Sequence, residues 1–114
     1  MQIRKTYKDV NPELLYDEVK DFVQKQGVLI DEAKLETYAL PGGWSHVVRG
    51  TLTFKIQDKD EKQCLRAHVV GSATGETKVM LDINEELFPK EKVRALQEDL
   101  DFIFSLYEVK HQKS

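Results

Sequence analysis

The sequence contains little cysteine and no long apolar run, and each absence excludes a class of protein. The only cysteine among its 114 residues is Cys64. No disulfide can therefore form within the chain, which favours a reducing, cytoplasmic location. No apolar run approaches the ~20 residues that cross a bilayer, and the N-terminus lacks the apolar segment of a secretory signal. We expect a cytoplasmic protein without a membrane span.

The chain also lacks an excess of positive charge. It carries 17 basic and 20 acidic side chains, a formal net charge of −3. A broad basic surface that would attract a phosphate backbone is therefore not expected, and nucleic acid is a poor candidate partner. The three histidines His46, His68 and His111 are far apart in sequence, and there is no second cysteine. We accordingly expect no bound metal and no cofactor.

What the sequence does contain is the composition of a globular protein. Hydrophobic residues make up 40% and charged residues 32% of the chain. This length is typical of one domain, and the sequence shows no repeat, linker or low-complexity segment. Residues 1–114 are therefore predicted to form a single domain.

The first elements are predicted from alternation and from helix-start signals. Residues 2–9 read as a strand with Ile3 and Tyr7 on one face. Asn11 then offers a side-chain oxygen as the N-cap of a helix, and Pro12 suits the first helical position. Gly27 is the predicted end of this helix.

Four strands and a long helix are predicted to follow. Alternation begins at residue 33 and the clearest strand is "HVVRGTLTFKI", with an apolar and a polar face. If the last hairpin pairs Val69 with Val79, Arg66 lies opposite Asp82, which favours that register. Pro89 is the predicted start of a helix that reaches about residue 109. The fold class is therefore α+β, an antiparallel sheet with the element order β-α-β-β-β-β-α.

The segment from Val10 to Phe22, "VNPELLYDEVKDF", together with this element order, resembles the START-like helix-grip superfamily (SRPBCC) of lipid- and hydrophobic-ligand-binding proteins. The resemblance implies a curved sheet wrapped around the long C-terminal helix, with a ligand cavity between them. The chain looks like a compact version, since it is short and lacks a second small helix and one or two strands. The superfamily has no universal catalytic motif, so the resemblance implies no catalytic residues.

A cavity in this architecture would be lined by the inward strand face and the apolar stripe of the last helix. The small residues Gly50 and Ala67 either leave space there or let the helix approach the sheet closely, so the same residues could form a pocket or a filled core. Tyr38 and Trp44 are candidates for the cavity mouth, although Trp44 could instead fold back over the edge of the core. The predicted ligand-binding residues are Gly50, Leu52, Phe54, Ala67, Val69, Leu81, Leu100, Ile103, Phe104 and Tyr107.

The outward strand face is polar and has two interpretations, a solvated surface or a binding surface for an acidic partner. Its members are Arg49, Thr51, Thr53, Arg66, His68, Lys78 and Asp82. Alternation also places Cys64 on this face beside Arg66 and His68. Positive neighbours lower the pKa of a thiol, but an exposed strand face offers no oxyanion hole, so catalysis by Cys64 is not expected.

The last helix carries a second apolar ridge. Ala95, Phe102, Leu106 and Val109 follow helical spacing. The ridge is either buried by a wrapping sheet, as the resemblance implies, or exposed as a partner surface. We therefore expect either a monomer or a weak homodimer through Phe102, Leu106 and Val109.

Three functions follow from these features. The leading one is non-catalytic binding or carriage of an apolar or amphipathic small molecule. The competing one is a small interaction or dimerisation module with a filled core. The third is a cyclase-like enzyme, which would need Tyr7, Tyr38 or Tyr107 to point into a wet cavity.

Overall fold

The computed structural model describes residues 1–42, 46–57, 62–72 and 75–109. Trp44, one of the two residues predicted at a cavity mouth, lies outside these ranges. The fold is α+β with an antiparallel sheet, as predicted. The elements are β1 Gln2–Lys8, α1 Pro12–Gln24, β2 Leu29–Ala39, β3 His46–Lys55, β4 Gln63–Gly71, β5 Glu76–Ile83, α2 Lys90–Phe104 and a 3₁₀ turn Ser105–Tyr107.

The sheet has five strands in the order β1-β5-β4-β3-β2. The first strand therefore pairs with the last, and β2 lies at the opposite edge. The predicted register of the last hairpin is confirmed, because Val69 pairs with Val79 and Arg66 with Asp82. Strands β1 and β2, at the two edges, are separated by four strand spacings, or about 19 Å.

The start of α1 follows from its cap residues. The Asn11 Oδ1 atom accepts a hydrogen bond from the Glu13 backbone N–H at 2.9 Å, and Pro12 occupies the first helical position. The buried residues of α1 recur at helical spacing, which fixes the face that packs on the sheet. After the helix, Gly27 has φ +88°, a left-handed conformation that glycine adopts without strain.

Strand β2 begins earlier than the sequence predicts. It starts at Leu29, although regular alternation begins only near residue 33. The pairing with β3 shifts between Ile30 and Glu32, so Asp31 forms a bulge. A bulge adds one residue to one strand and interrupts the two-residue period, which explains why alternation did not indicate this start.

The C-terminal helix ends earlier than the sequence predicts. Helix α2 stops at Phe104, and one 3₁₀ turn follows. The next residues are extended, with the Val109 N–H donating to the Thr6 carbonyl oxygen at 2.7 Å and Glu108 forming a bridge with Tyr7. The segment that helical spacing predicts as the end of the helix therefore pairs with the free backbone groups of the β1 edge.

Both helices lie on one face of the sheet and bury a single core with it. From the sheet, this core contains alternate residues of β1, β3, β4 and β5. The Tyr7 and Phe104 rings meet at a centroid distance of 5.5 Å, and the Lys92 ammonium donates to the Gln26 carbonyl at the end of α1 at 2.7 Å. Neither helix described is long and apolar enough to cross a lipid bilayer.

Wrapping of the sheet around α2 is not confirmed. The side chains of Phe102 and Leu106 are 89% and 94% exposed, so the prediction that the second ridge is buried is wrong for these two residues. The sheet and the helices form two layers, with overall extents of 49 × 34 × 21 Å. One layer of helices on one face of a sheet leaves the outer side of the helices in water.

Candidate functional site

A groove of about 920 Å³ lies at the β1 edge of the sheet, beside the segment that follows α2. Its lining comes from β1, β5, β4, α2 and the residues that pair with β1. The lining residues are Ile3, Arg4, Lys5, Thr6, His68, Val70, Lys78, Val79, Met80, Gln97, Glu108 and Val109.

Six of these side chains form two rows on the face of the sheet that the helices leave uncovered. In the first row Arg4 pairs with Met80, and Met80 pairs with His68. In the second row Lys78 lies between Thr6 and Val70. Because strand residues alternate between faces and their sequence neighbours are in the core, these six point away from the helices.

The groove carries two cationic side chains that are not neutralised by an ion pair with any described residue. Among the described residues, neither Arg4 nor Lys78 takes part in an ion pair. His68 contributes an imidazole whose Nδ1 atom lies 3.5 Å from Thr51 Oγ1. Unpaired cations at the rim of a groove favour a ligand with a negative group.

The carboxylate that lines the groove is already neutralised. Glu108 Oε1 lies 2.7 Å from the Lys5 Nζ atom, which also lies 3.0 Å from Asp101 Oδ1. Burial of the Lys5 ammonium disfavours its charge, but the hydrogen bonds to Glu108 and Asp101 outweigh this effect and raise its pKa. Since Glu108 is held by Lys5, it does not offset the positive charge of Arg4 and Lys78.

The remainder of the groove is largely apolar. Val70 and Met80 lie in the floor, and Val109 borders it where the chain pairs with β1. All three side chains are partly exposed, so apolar surface is left in contact with water. A molecule with an apolar chain and an anionic end would match both parts of this groove.

The residues predicted to bind a ligand lie elsewhere, and none of the ten lines this groove. Seven of them are buried in the core, and Ile103 and Tyr107 lie on the surface of the last helical turns. Their role in ligand binding stays a prediction. The seven buried residues are Leu52, Phe54, Ala67, Val69, Leu81, Leu100 and Phe104.

Gly50 lets a helix approach the sheet, which is one of its two predicted roles. A Cβ atom added to Gly50 would collide with the ring of Tyr16 from α1. The space that the missing side chain leaves is therefore filled by Tyr16. The helix that approaches here is α1, and not the C-terminal helix on which the sequence prediction concentrated.

The three tyrosines considered for a cyclase-like enzyme are not brought together. Tyr7 is fully buried, and burial raises its pKa to about 12. Tyr38 lies on the opposite edge strand, where its hydroxyl donates to Glu36 Oε2 at 2.7 Å. Tyr107 is half exposed in the 3₁₀ turn.

The predicted position of Cys64 is wrong. The pairing of β3 with β4 shifts where Lys55 pairs with Gln63, and the extra residue of this bulge is Cys64. The bulge turns the side chain into the core, away from Arg66 and His68, and burial raises the pKa of its thiol. Within the described ranges, no cluster of three His, Cys, Asp or Glu residues could hold a metal ion.

Sequence reasoning named only part of the groove. It placed His68 and Lys78 on the outward face, as a surface for an acidic partner or for water, but missed Arg4 and Met80. The missing information was the pairing of β1 with β5, which joins residues about 75 positions apart. Alternation within β1 puts Arg4 and Thr6 on one face. Together with the strand order, this pattern would predict that both residues line the groove beside His68 and Lys78.

No protein-family model, no curated protein and no solved structure matches this chain. The resemblance to the helix-grip superfamily therefore rests on the segment Val10–Phe22 and on the element order alone.

Proposed function

We propose that this protein binds an amphipathic small molecule with an anionic head group, in the groove at the β1 edge. The single observation behind the proposal is a groove of about 920 Å³ that combines apolar floor residues with unpaired cations. This volume falls within the range of small-molecule sites. The proposal keeps the predicted ligand class and moves the site from the core to the β1 edge of the sheet.

The chemistry of binding divides between the two parts of the groove. The head group would lie between Arg4 and Lys78, which are diagonal neighbours on β1 and β5. The apolar chain would cover Met80 and Val70, and each buried methylene would contribute ~0.8 kcal/mol. A carboxylate and a phosphate share this recognition chemistry, and a guanidinium can hold either of them with two hydrogen bonds.

The proposal includes a binding role without catalysis, in the cytoplasm. Tyr7, a tyrosine of the strand that borders the groove, stays protonated at neutral pH because its pKa is about 12. The single cysteine Cys64 is free and buried, which suits a reducing compartment.

Calorimetric titration with laurate tests this proposal, with dodecanol and acetate as probes of the tail and head alone. We expect laurate to bind and both of the others to bind at least about tenfold more weakly. Lys78→Glu and Arg4→Glu should each weaken laurate binding about tenfold, because they replace an attraction by a repulsion near the head group. The matched control Lys90→Glu changes an exposed lysine outside the groove and should leave binding unchanged.

Two results would contradict the proposal. One is no binding of laurate at about 1 mM, the weak end of specific affinity. The other is laurate binding that Lys78→Glu and Arg4→Glu leave intact. If Gly50→Leu abolished binding in a folded protein while the groove variants kept it, the site would be the predicted interior one.

A second candidate function is homodimerisation through the last helix. Phe102 and Leu106 are one helical turn apart and almost fully exposed, which is unusual for two large apolar side chains. Val109 belongs to a different surface, since its N–H is bound to β1. Sedimentation of the wild type and of Phe102→Asp tests this candidate. A wild-type dimer that Phe102→Asp converts to a folded monomer would support it. A dimer that persists in Phe102→Asp would exclude it.

A further inference from the structure

Strand β2 is a long strand that has a partner on one side only. It runs over eleven residues at the edge of the sheet and pairs with β3. None of the described residues forms a backbone hydrogen bond with its outer edge. Such an edge presents a row of unpaired N–H and C=O groups that can accept another strand.

The face of β2 on the helix side is also uncovered. Ala33, Leu35 and Thr37 are in register with core residues of β3 and so point toward the helix layer. They are nevertheless exposed, and Leu35 retains 43% of its accessible surface. The helices thus stop short of this strand, and an apolar side chain that faces the core side is left in water.

The order of charges along β2 identifies what fits this edge. In an antiparallel pair of identical strands related by a twofold axis, residues equally distant from the axis lie opposite each other. With the axis at Leu35, Lys34 of one copy lies opposite Glu36 of the second copy, and Leu35 lies opposite Leu35. Glu32 then lies opposite Tyr38, and Ala33 opposite Thr37.

We propose that β2 pairs with β2 of a second copy about a twofold axis at Leu35, which joins the two sheets into one of ten strands. The contact contains two Lys–Glu pairs on the outward face and one Leu–Leu pair on the helix side. Directly opposed pairs of this kind stabilise antiparallel strands. The two helix layers lie on the same side of the combined sheet, because the axis is perpendicular to it.

Neighbouring registers fit less well. An axis at Lys34 would oppose two lysines and would place Glu32 opposite Glu36 twice, all with like charges. An axis at Ala33 would bring Asp31, the bulge residue, opposite Leu35 inside the paired segment. The axis at Leu35 instead leaves the bulge beyond Glu32, so that the seven residues 32–38 pair without interruption.

Existing contacts of the pairing side chains lie within β2, where Glu36 Oε2 accepts a hydrogen bond from the Tyr38 hydroxyl at 2.7 Å and leaves the second carboxylate oxygen for Lys34 of the second copy. Lys34 Nζ lies 3.6 Å from Glu32 Oε1 in the same strand, and both side chains are well exposed. An exposed ion pair of this kind is weak, so Lys34 can exchange Glu32 for Glu36 of the second copy at little cost. The patch of Phe102 and Leu106 belongs to α2 and the 3₁₀ turn that follows it, and α2 packs beside β1 at the opposite edge. The two surfaces can therefore be tested separately.

Charge reversal in both directions tests this contact by sedimentation equilibrium, with the wild type measured up to about 1 mM. We expect the wild type to dimerise. Lys34→Glu places a second carboxylate opposite Glu36, and Glu36→Lys opposes two ammonium groups, so each variant alone should dimerise at least about tenfold more weakly. An equimolar mixture of the two variants restores both opposite-charge pairs and should recover a heterodimer.

The controls match the change of charge at sites away from β2. Lys90→Glu changes the first residue of α2, and Glu85→Lys changes a residue before this helix. Both side chains are exposed, and both variants should assemble as the wild type does. The circular dichroism spectrum of each variant checks that it is folded. A wild type that stays monomeric at about 1 mM, single variants that dimerise as well as the wild type, or a mixture that stays monomeric would each overturn the proposal. A dimer abolished by Phe102→Asp and kept by Lys34→Glu would assign the interface to the last helix instead.

Discussion

The two edge strands of the sheet differ in whether a described segment of the chain pairs with their outer side. At β1 the chain returns after α2, so that Val109 donates to Thr6 and Lys5 holds Glu108 and Asp101. At β2 no described segment returns, and ten of its eleven residues are exposed. One edge is therefore closed by the protein itself, whereas the other is left open.

This difference separates the two proposed activities in space. The closed edge provides walls for a groove, because the returning segment and α2 stand beside β1. The open edge provides free backbone groups, which a second strand can use. A small molecule and a second copy of the chain would thus bind at edges about 19 Å apart, and neither would occupy the site of the other.

The largest expected effect is a difference in the free energy of unfolding between two Tyr→Ala variants, one at each edge of the sheet. Tyr7→Ala removes a fully buried ring that packs on Phe104, and should lower the free energy of unfolding by about 3–5 kcal/mol. Tyr38→Ala removes a half-exposed ring and should cost less than about 0.5 kcal/mol. Urea unfolding at low protein concentration measures both, since dilution removes any contribution from dimerisation.

Tyr7→Phe separates the ring from its hydroxyl. The Tyr7 hydroxyl is buried without a hydrogen-bond partner among the described residues, so its removal should leave stability unchanged or slightly higher. Equal losses for Tyr7→Ala and Tyr38→Ala would show that the two edges do not differ as described.

Local patterns predicted most elements of this fold because their causes are local. Alternation places β3 and β5 correctly, and the cap residues Asn11 and Pro12 set the start of α1. The charge pair Arg66–Asp82 indicated the register of the last hairpin, although an exposed pair contributes little energy.

The remaining features depend on partners distant in sequence. Phe102, Leu106 and Val109 follow helical spacing, yet Val109 pairs with β1 because that edge offers free backbone groups. Cys64 departs from alternation because a bulge adds one residue to β4. The groove requires β1 beside β5, a pairing that alternation within single strands does not encode.

An intermediate effect is expected for the difference in stability between two Lys→Met variants, one at each edge of the sheet. Lys5→Met removes two contacts of a largely buried ammonium, at 2.7 Å to Glu108 and 3.0 Å to Asp101, and should cost about 1–2 kcal/mol. Lys34→Met removes one exposed contact of 3.6 Å and should cost less than about 0.5 kcal/mol. Thermal unfolding measures the difference.

Hydrogen exchange shows whether Lys5 acts through the returning segment. Without Lys5 the Glu108 side chain loses its partner, so the Val109 amide should exchange faster in Lys5→Met. Amides of β2 should exchange as in the wild type. Unchanged protection of Val109 would show that its bond to Thr6 holds the segment without the ion pair.

The smallest expected effect concerns the two helices that cover the core between these edges. The Glu18 carboxyl on α1 forms a hydrogen bond with the Asp99 side chain on α2. This bond, burial and the negative charges of Asp99 and Asp21 raise the pKa of Glu18 to about 7. The positive charge of Lys25 acts in the opposite direction but is the smallest of these effects. Between 4.5, its ordinary value, and about 7 the folded protein binds a proton that the unfolded chain does not bind. The free energy of unfolding should therefore fall as pH rises through this window, by about 1 kcal/mol after allowance for solvent screening.

Glu18→Gln tests this effect because the amide can donate to Asp99 at every pH. Relative to wild type, the variant should be equally stable at pH 5 and about 1 kcal/mol more stable at pH 8. Asp17→Asn, at an exposed carboxylate of the same helix, should shift stability equally at both pH values. A Glu18→Gln difference that does not change with pH would show that the contact between α1 and α2 is not sensitive to protonation. If the difference does appear, deprotonation of Glu18 weakens the contact between α1 and α2 as the pH rises to about 7.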